Sequence, residues 1–158
     1  MSASAPSCPC GSRQPAAACC EPLLAGAPAP TALALMRSRY TAYVRHAVGY
    51  LLTTHDPDTV ATVDRAALAA WVAATTWTGL VIVAARAGEP ADAAGEVEFI
   101  AHGHHRGRAF AQRERSRFRR VGGRWVYTDG VALPAAPPGP NDPCPCGSGA
   151  KYKRCHRG

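Results

Sequence analysis

Between residues 32 and 51 apolar side chains return at every third or fourth position. Met36, Tyr40, Tyr43, Ala47 and Leu51 form one stripe, and Arg37, Arg45 and His46 fall largely off it. That period predicts an amphipathic helix. Thr31 is placed to cap its start. Pro57 disfavours α geometry in the residue before it, so the helix should end by His55-Asp56-Pro57. A second helix is predicted over 64–74, with Asp64 as cap and Leu68, Trp71 and Val72 as its face. Residues 21–30, rich in Ala, Pro and Gly, read as a short tether.

The period then changes to two. Residues 77–86 are a β-branched and aromatic run, apolar on both faces, which predicts a central strand. Residues 96–104 alternate, with Val97, Phe99 and Ala101 on one side and His102 and His104 turned outward on the other. Two further strands, 109–121 and 124–129, flank Gly122-Gly123, a two-residue hairpin turn. In the third strand Arg113, Arg115, Arg117 and Arg119 share one face, and Phe110, Gln112, Glu114, Ser116 and Phe118 share the other. Four guanidiniums cannot line a core, so the second set faces inward. Helices followed by an antiparallel meander read as an α+β fold.

Glu114 therefore stands among phenylalanines, where a carboxyl group must pair with a cation or keep its proton. Arg37 or Arg39 is the candidate partner. Two roles stay open: a structural pair that fastens helix to sheet, or a catalytic acid/base acting on a small molecule, with His102 or His104 beside it. The arginine face likewise has two readings. It is a solvated sheet surface that resists edge pairing, or a stripe that binds RNA phosphates.

Composition narrows the class. With 47% hydrophobic and 18% charged residues, the 158-residue chain is neither disordered in bulk nor a membrane protein. Its longest strongly apolar run, 80–85, is too short to span a bilayer. MSASAPSCPCG has neither a basic nor an apolar leader region, so a cytoplasmic location is expected. Disulfides are rare in that compartment, and seven cysteines cannot all pair.

The thiols are patterned for metal instead. CPCGS occurs at 8–12 and again at 144–148, followed by RQPAAACC in the first copy and GAKYKRCH in the second. Cys8, Cys10, Cys19 and Cys20 make one quartet; Cys144, Cys146, Cys155 and His156 make the other. Thiolate and imidazole are the ligands of structural zinc, which closes at four, so two zinc ions are expected. Pro9 and Pro145 set the bend between the paired cysteines, and Gly11 and Gly147 let backbone N–H groups turn toward the sulfurs. Filled quartets carry negative charge, so the formal +7 of the chain overstates its basic character.

CPCGSGAKYKRCH resembles the SEC-C motif, a small zinc knuckle found at the C-terminus of the SecA translocation ATPase and in many bacterial proteins. With LMRSRYTAYV at 35–44, YLLTTHDP at 50–57 and ERSRFRRVGGRWVYTDG at 114–130, nearly the whole chain resembles the YchJ family. The resemblance implies a nuclear transport factor 2-like (ketosteroid-isomerase-like) domain, in which a sheet curls around helices into a cone with a pocket. It implies a knuckle at 1–22, the cone domain at 31–132, a proline-rich linker at 133–143 and a second knuckle at 144–158. The first copy departs from the motif, because RQPAAA replaces its basic and aromatic filler. In the second, Lys151, Tyr152, Lys153 and Arg154 are the candidate partner-binding residues. The expected function is a non-catalytic bacterial adaptor whose C-terminal knuckle docks to a protein or a ribosome-associated partner. The alternatives are a small-molecule enzyme using Glu114 in the cone, and an RNA-binding protein.

Overall fold

The computed structural model describes residues 5–135, 139–142 and 149–155. Four helices precede a four-stranded meander: α1 (Glu21–Leu24), α2 (Ala32–Val44), α3 (Val48–Thr53) and α4 (Arg65–Ala74), then β1 (Thr75–Ala87), β2 (Ala94–His105), β3 (Arg108–Val121) and β4 (Arg124–Leu133). A last turn of helix, α5, spans Tyr152–Cys155. The sheet is antiparallel in the order β1-β2-β3-β4. Register shifts between Trp77 and Gly79, between Ile82 and Ala84, and opposite Arg117/Phe118 bend it around the helices. This is the α+β cone expected.

Both predicted caps are present: the Thr31 hydroxyl accepts from Ala34 N–H at 3.0 Å and Asp64 accepts from Ala67 N–H at 2.9 Å. The first helix, however, is not continuous to residue 53. It stops at Val44, passes through His46 at φ 57° and restarts at Val48. The break turns α3 so that Leu51 packs with Ala42 and Val72. It also brings the Tyr50 hydroxyl to 2.7 Å from Ser38 Oγ.

Residues 21–30 are not a free tether. They begin as α1 and then lie along β4, where Arg124 donates to Gly26 O at 3.2 Å and Trp125 Nε1 to Pro30 O at 3.4 Å.

The strand over 77–86 is at an edge of the sheet rather than its centre. Among the described residues β1 pairs with β2 alone, and Val81 and Val83 on its outer side stay exposed. Its inner side is apolar because Leu80 joins a core that includes Leu35, Tyr40, Val97, Phe99, Phe118 and Trp125. The alternation of β2 is as expected: Val97, Phe99 and Ala101 are buried, and His102 and His104 are exposed. β4 runs on to Leu133, beyond the expected end at residue 129. Gly122 and Gly123, at φ 57° and 79°, form the β3–β4 turn with the two positive dihedrals such a turn demands.

A cysteine cluster and an aromatic pocket on opposite sides of one helix

The first CPCGS folds as a small loop closed on itself. Cys8 N–H donates to Gln14 O at 2.8 Å and Ala16 N–H to Pro6 O at 3.0 Å. Between these bonds the chain reverses through Gly11 at φ 76°. Gly11 is needed twice over, since a β-carbon there would also lie 3.1 Å from the Leu80 carbonyl oxygen. A single 3-10 turn, Ala16–Ala18, then returns the chain, and Cys20 O accepts the first bond of α1 at 3.0 Å. The ligand atoms of Cys8, Cys10, Cys19 and Cys20 consequently all lie within 4.8 Å of one another. Sγ–Sγ separations of 3.5 Å (Cys10–Cys19) and 3.8 Å (Cys19–Cys20) suit a tetrahedron of metal–sulfur bonds of about 2.3 Å.

The groups around the sulfurs shift the thiols in opposite directions. Hydrogen bonds from Cys20, then from the Ser12 side chain and backbone and from Cys8, outweigh burial and draw Cys10 down to about 4. The same sharing pushes Cys20 up, with burial adding to it, while burial is the main cause that raises Cys19. One thiolate is thus held by its protonated neighbours, and a divalent ion would take the place of those protons. Ser12 Oγ is 3.2 Å from Cys19 Sγ, Thr41 Oγ1 is 3.8 Å from Cys8 Sγ, and Arg37 donates to Cys10 O at 2.7 Å. Cys8, Cys10 and Cys20 are buried in the main core of the domain. Four protein ligands leave no open position, which is the arrangement of a structural metal.

Of the second quartet, Cys144, Cys146 and His156 lie outside the described residues, and Cys155 is exposed at the end of α5. The candidate docking residues sit on the same turn. Lys151, Lys153 and Arg154 are exposed, whereas the Tyr152 ring is half-buried rather than fully displayed. Tyr152 N–H donates to Asp142 O at 2.8 Å and Lys153 N–H to Pro140 O at 3.0 Å.

The other side of α2 lines a cavity of about 420 Å³ between the helices and the sheet. Gln112, Glu114 and Ser116 face into it from β3, as alternation predicts. Glu114 is not paired with Arg37 or Arg39 by a hydrogen bond. Its oxygens accept from Gln112 Nε2 at 2.7 Å and Ser116 Oγ at 2.8 Å. Arg37 is occupied at the cysteine loop. Arg39 donates to Leu51 O at 2.8 Å and Thr54 Oγ1 at 2.7 Å, with its guanidinium 4.6 Å from the Tyr127 ring. The break after α2 causes this, because it brings the carbonyl end of α3 to the guanidinium. Glu114 and Arg39 still act on each other through their charges. Gly130 leaves the space the carboxylate fills, and a β-carbon there would meet Glu114 Oε1 and stand 2.9 Å from the Tyr127 hydroxyl. His102 and His104 point away; His55 is the histidine of the pocket.

On the outer face each of the four β3 arginines has an acidic partner. Arg113 and Arg115 reach Glu98 at 2.6 and 3.6 Å, Arg117 reaches Asp129 at 2.6 Å, and Arg119 reaches Asp56 at 2.6 Å and Asp58 at 2.7 Å. Sequence reading missed Glu98 and Asp56, both buried. The β2–β3 register, which sets Glu98 opposite Arg115, is the signal that finds the first.

A family model described as the YchJ middle NTF2-like domain matches residues 31–130, and the SEC-C motif matches 141–158. A UPF0225 protein of Geobacter sulfurreducens is 46% identical over 154 residues, covering 94% of this chain and 96% of its own. The chain belongs to the YchJ (UPF0225) family. Another UPF0225 protein, from Serratia proteamaculans, is also 46% identical over 94% of the chain and 96% of its own length. Among solved structures, a SEC-C motif containing protein from Rhodopseudomonas palustris is 35% identical with a TM-score of 0.74, covering 81% of this chain and 99% of its own. One from Psychrobacter arcticus is 29% identical with a TM-score of 0.67 over 94% of each. The YchJ and SEC-C matches begin at residue 31, so the first cysteine quartet stands on its own geometry. Among the described residues no helix is long and apolar enough to cross a membrane.

Proposed function

We propose that this YchJ-family protein is a non-catalytic docking protein of the bacterial cytoplasm that holds two structural zinc ions. One ion is bound by Cys8, Cys10, Cys19 and Cys20 and welds the amino-terminal segment to the cone domain. The other is bound by Cys144, Cys146, Cys155 and His156 and orders the C-terminal knuckle, a segment too short to fold alone. The observation that carries the reading is the convergence of four sulfurs within 4.8 Å in a loop closed by backbone hydrogen bonds. An all-thiolate set is soft and tetrahedral, which selects zinc over the hard divalent ions.

The knuckle is the docking element. Lys151, Lys153 and Arg154 are exposed beside a half-buried Tyr152 on one short turn, and a basic surface with an aromatic ring suits an acidic protein or a ribosome-associated partner. The test is co-sedimentation with ribosomes and affinity capture, with the intact protein set against a chain ending at residue 140. Association that disappears in the shortened chain and in Lys151→Glu/Arg154→Glu supports docking. Association that survives both changes overturns it.

A further inference from the structure

The cavity beneath α2 carries a chemistry that zinc and docking leave unused. Its walls are aromatic, with Tyr43, Trp71, Trp77, Phe99 and Tyr127 all facing it. Tyr43 and Trp77 meet edge to face at 5.7 Å. At about 420 Å³ it falls in the range of sites that enclose small organic ligands.

Among the polar groups of this wall, the Glu114 carboxylate is incompletely used. Each Glu114 oxygen accepts one hydrogen bond, from Gln112 or Ser116, although a carboxylate can accept about four in all. The Tyr127 hydroxyl stays protonated, since burial first and the Glu114 charge second push it up. The wall holds one acidic and one basic side chain, Glu114 and the buried Arg39, which act on each other through their charges. An ion entering here would lose its water without gaining an uncompensated opposite charge.

We infer that the cavity binds a small, flat, uncharged aromatic molecule bearing a hydroxyl or ring N–H. The rings lie among the aromatic side chains, and the donor is taken by Glu114.

Three probes of one shape separate charge from hydrogen bonding: β-naphthol, naphthalene and β-naphthoate. They are titrated into the full-length, zinc-loaded protein. Binding is followed by tryptophan fluorescence and by the Trp77 indole N–H resonance in proton–nitrogen NMR, assigned with Trp77→Phe. β-Naphthol should bind about tenfold or more tightly than the other two, the worth of one hydrogen bond to a charged acceptor, and should shift the Trp77 resonance. Glu114→Gln should cost most of that advantage while leaving naphthalene binding unchanged. Equal affinity for all three probes, tightest binding of the anion, or no binding at all would each overturn the inference.

Discussion

A single hydrogen atom in place of a side chain decides two local geometries in this protein. At Gly130 a methyl group would fall on the Glu114 carboxylate and crowd the Tyr127 hydroxyl. Gly130→Ala should therefore displace the carboxylate from Ser116 and cost about 1–3 kcal/mol, the usual penalty of overpacking, in urea unfolding. Glu114→Gln, similar in size, should cost clearly less. At Gly11 the left-handed dihedral and the close approach to Leu80 O act together. Gly11→Ala should lower stability by about 1–2 kcal/mol and speed loss of metal to a chelator. Wild-type chelation kinetics in that variant would show that the bend does not set the sulfur positions.

Elements are joined here by particular polar contacts as much as by apolar burial. Asp56 precedes Pro57 and donates its backbone N–H to Tyr127 O at 2.8 Å, while its carboxylate holds Arg119 through both oxygens. The Arg119 hydrogen bonds are the main reason that Asp56 titrates at about 2. A folded pKa below the unfolded value near 3.9 gives stability that is complete above about pH 4 and is lost as pH falls toward 2. Asp56→Asn should therefore be less stable at neutral pH and show a flatter loss between pH 4 and 2, read as urea midpoints against pH. His46, at φ 57° in the α2–α3 break, gives a prediction of opposite sign. His46→Gly should raise stability by about 0.5–1 kcal/mol, because relief of the left-handed strain exceeds the entropy cost of glycine.

The elements also show what sequence can convey. The β3 alternation places Glu114, Gln112 and Ser116 inward because a half-buried strand has a strict period of two. The helix break was hidden because the stripe of apolar residues runs on through Ala47 to Leu51 across it. β1 reads as central because its inner side is apolar and Val81 and Val83 are left bare on the outer side. The partner of Arg39 depends on where the α3 carbonyls end up, which no periodicity encodes. Glu98 looks like a solvent residue, yet Arg113 and Arg115 close over it from the neighbouring strand.

At the scale of the whole molecule, the cysteine quartet is part of the domain core rather than an appendage. Cys8, Cys10 and Cys20 pack in the same cluster as Leu35, Tyr40, Leu80 and Trp125. Helix α2 carries Thr41 to the Cys8 sulfur and Arg37 to the Cys10 carbonyl oxygen, and Arg39, Tyr40 and Tyr43 to the pocket. Removing metal should thus lower the melting temperature of the domain in one cooperative transition, with amide exchange quickening along α2 as well as in residues 5–20. Cys10→Ser should reproduce this without a chelator. The most direct measurement is elemental zinc in the reduced, freshly purified protein. The full chain should contain about two ions, the chain ending at residue 140 about one, and Cys10→Ser one fewer than its parent. A metal-free protein in which every thiol titrates at once, with the fold intact, would contradict the zinc-centred reading.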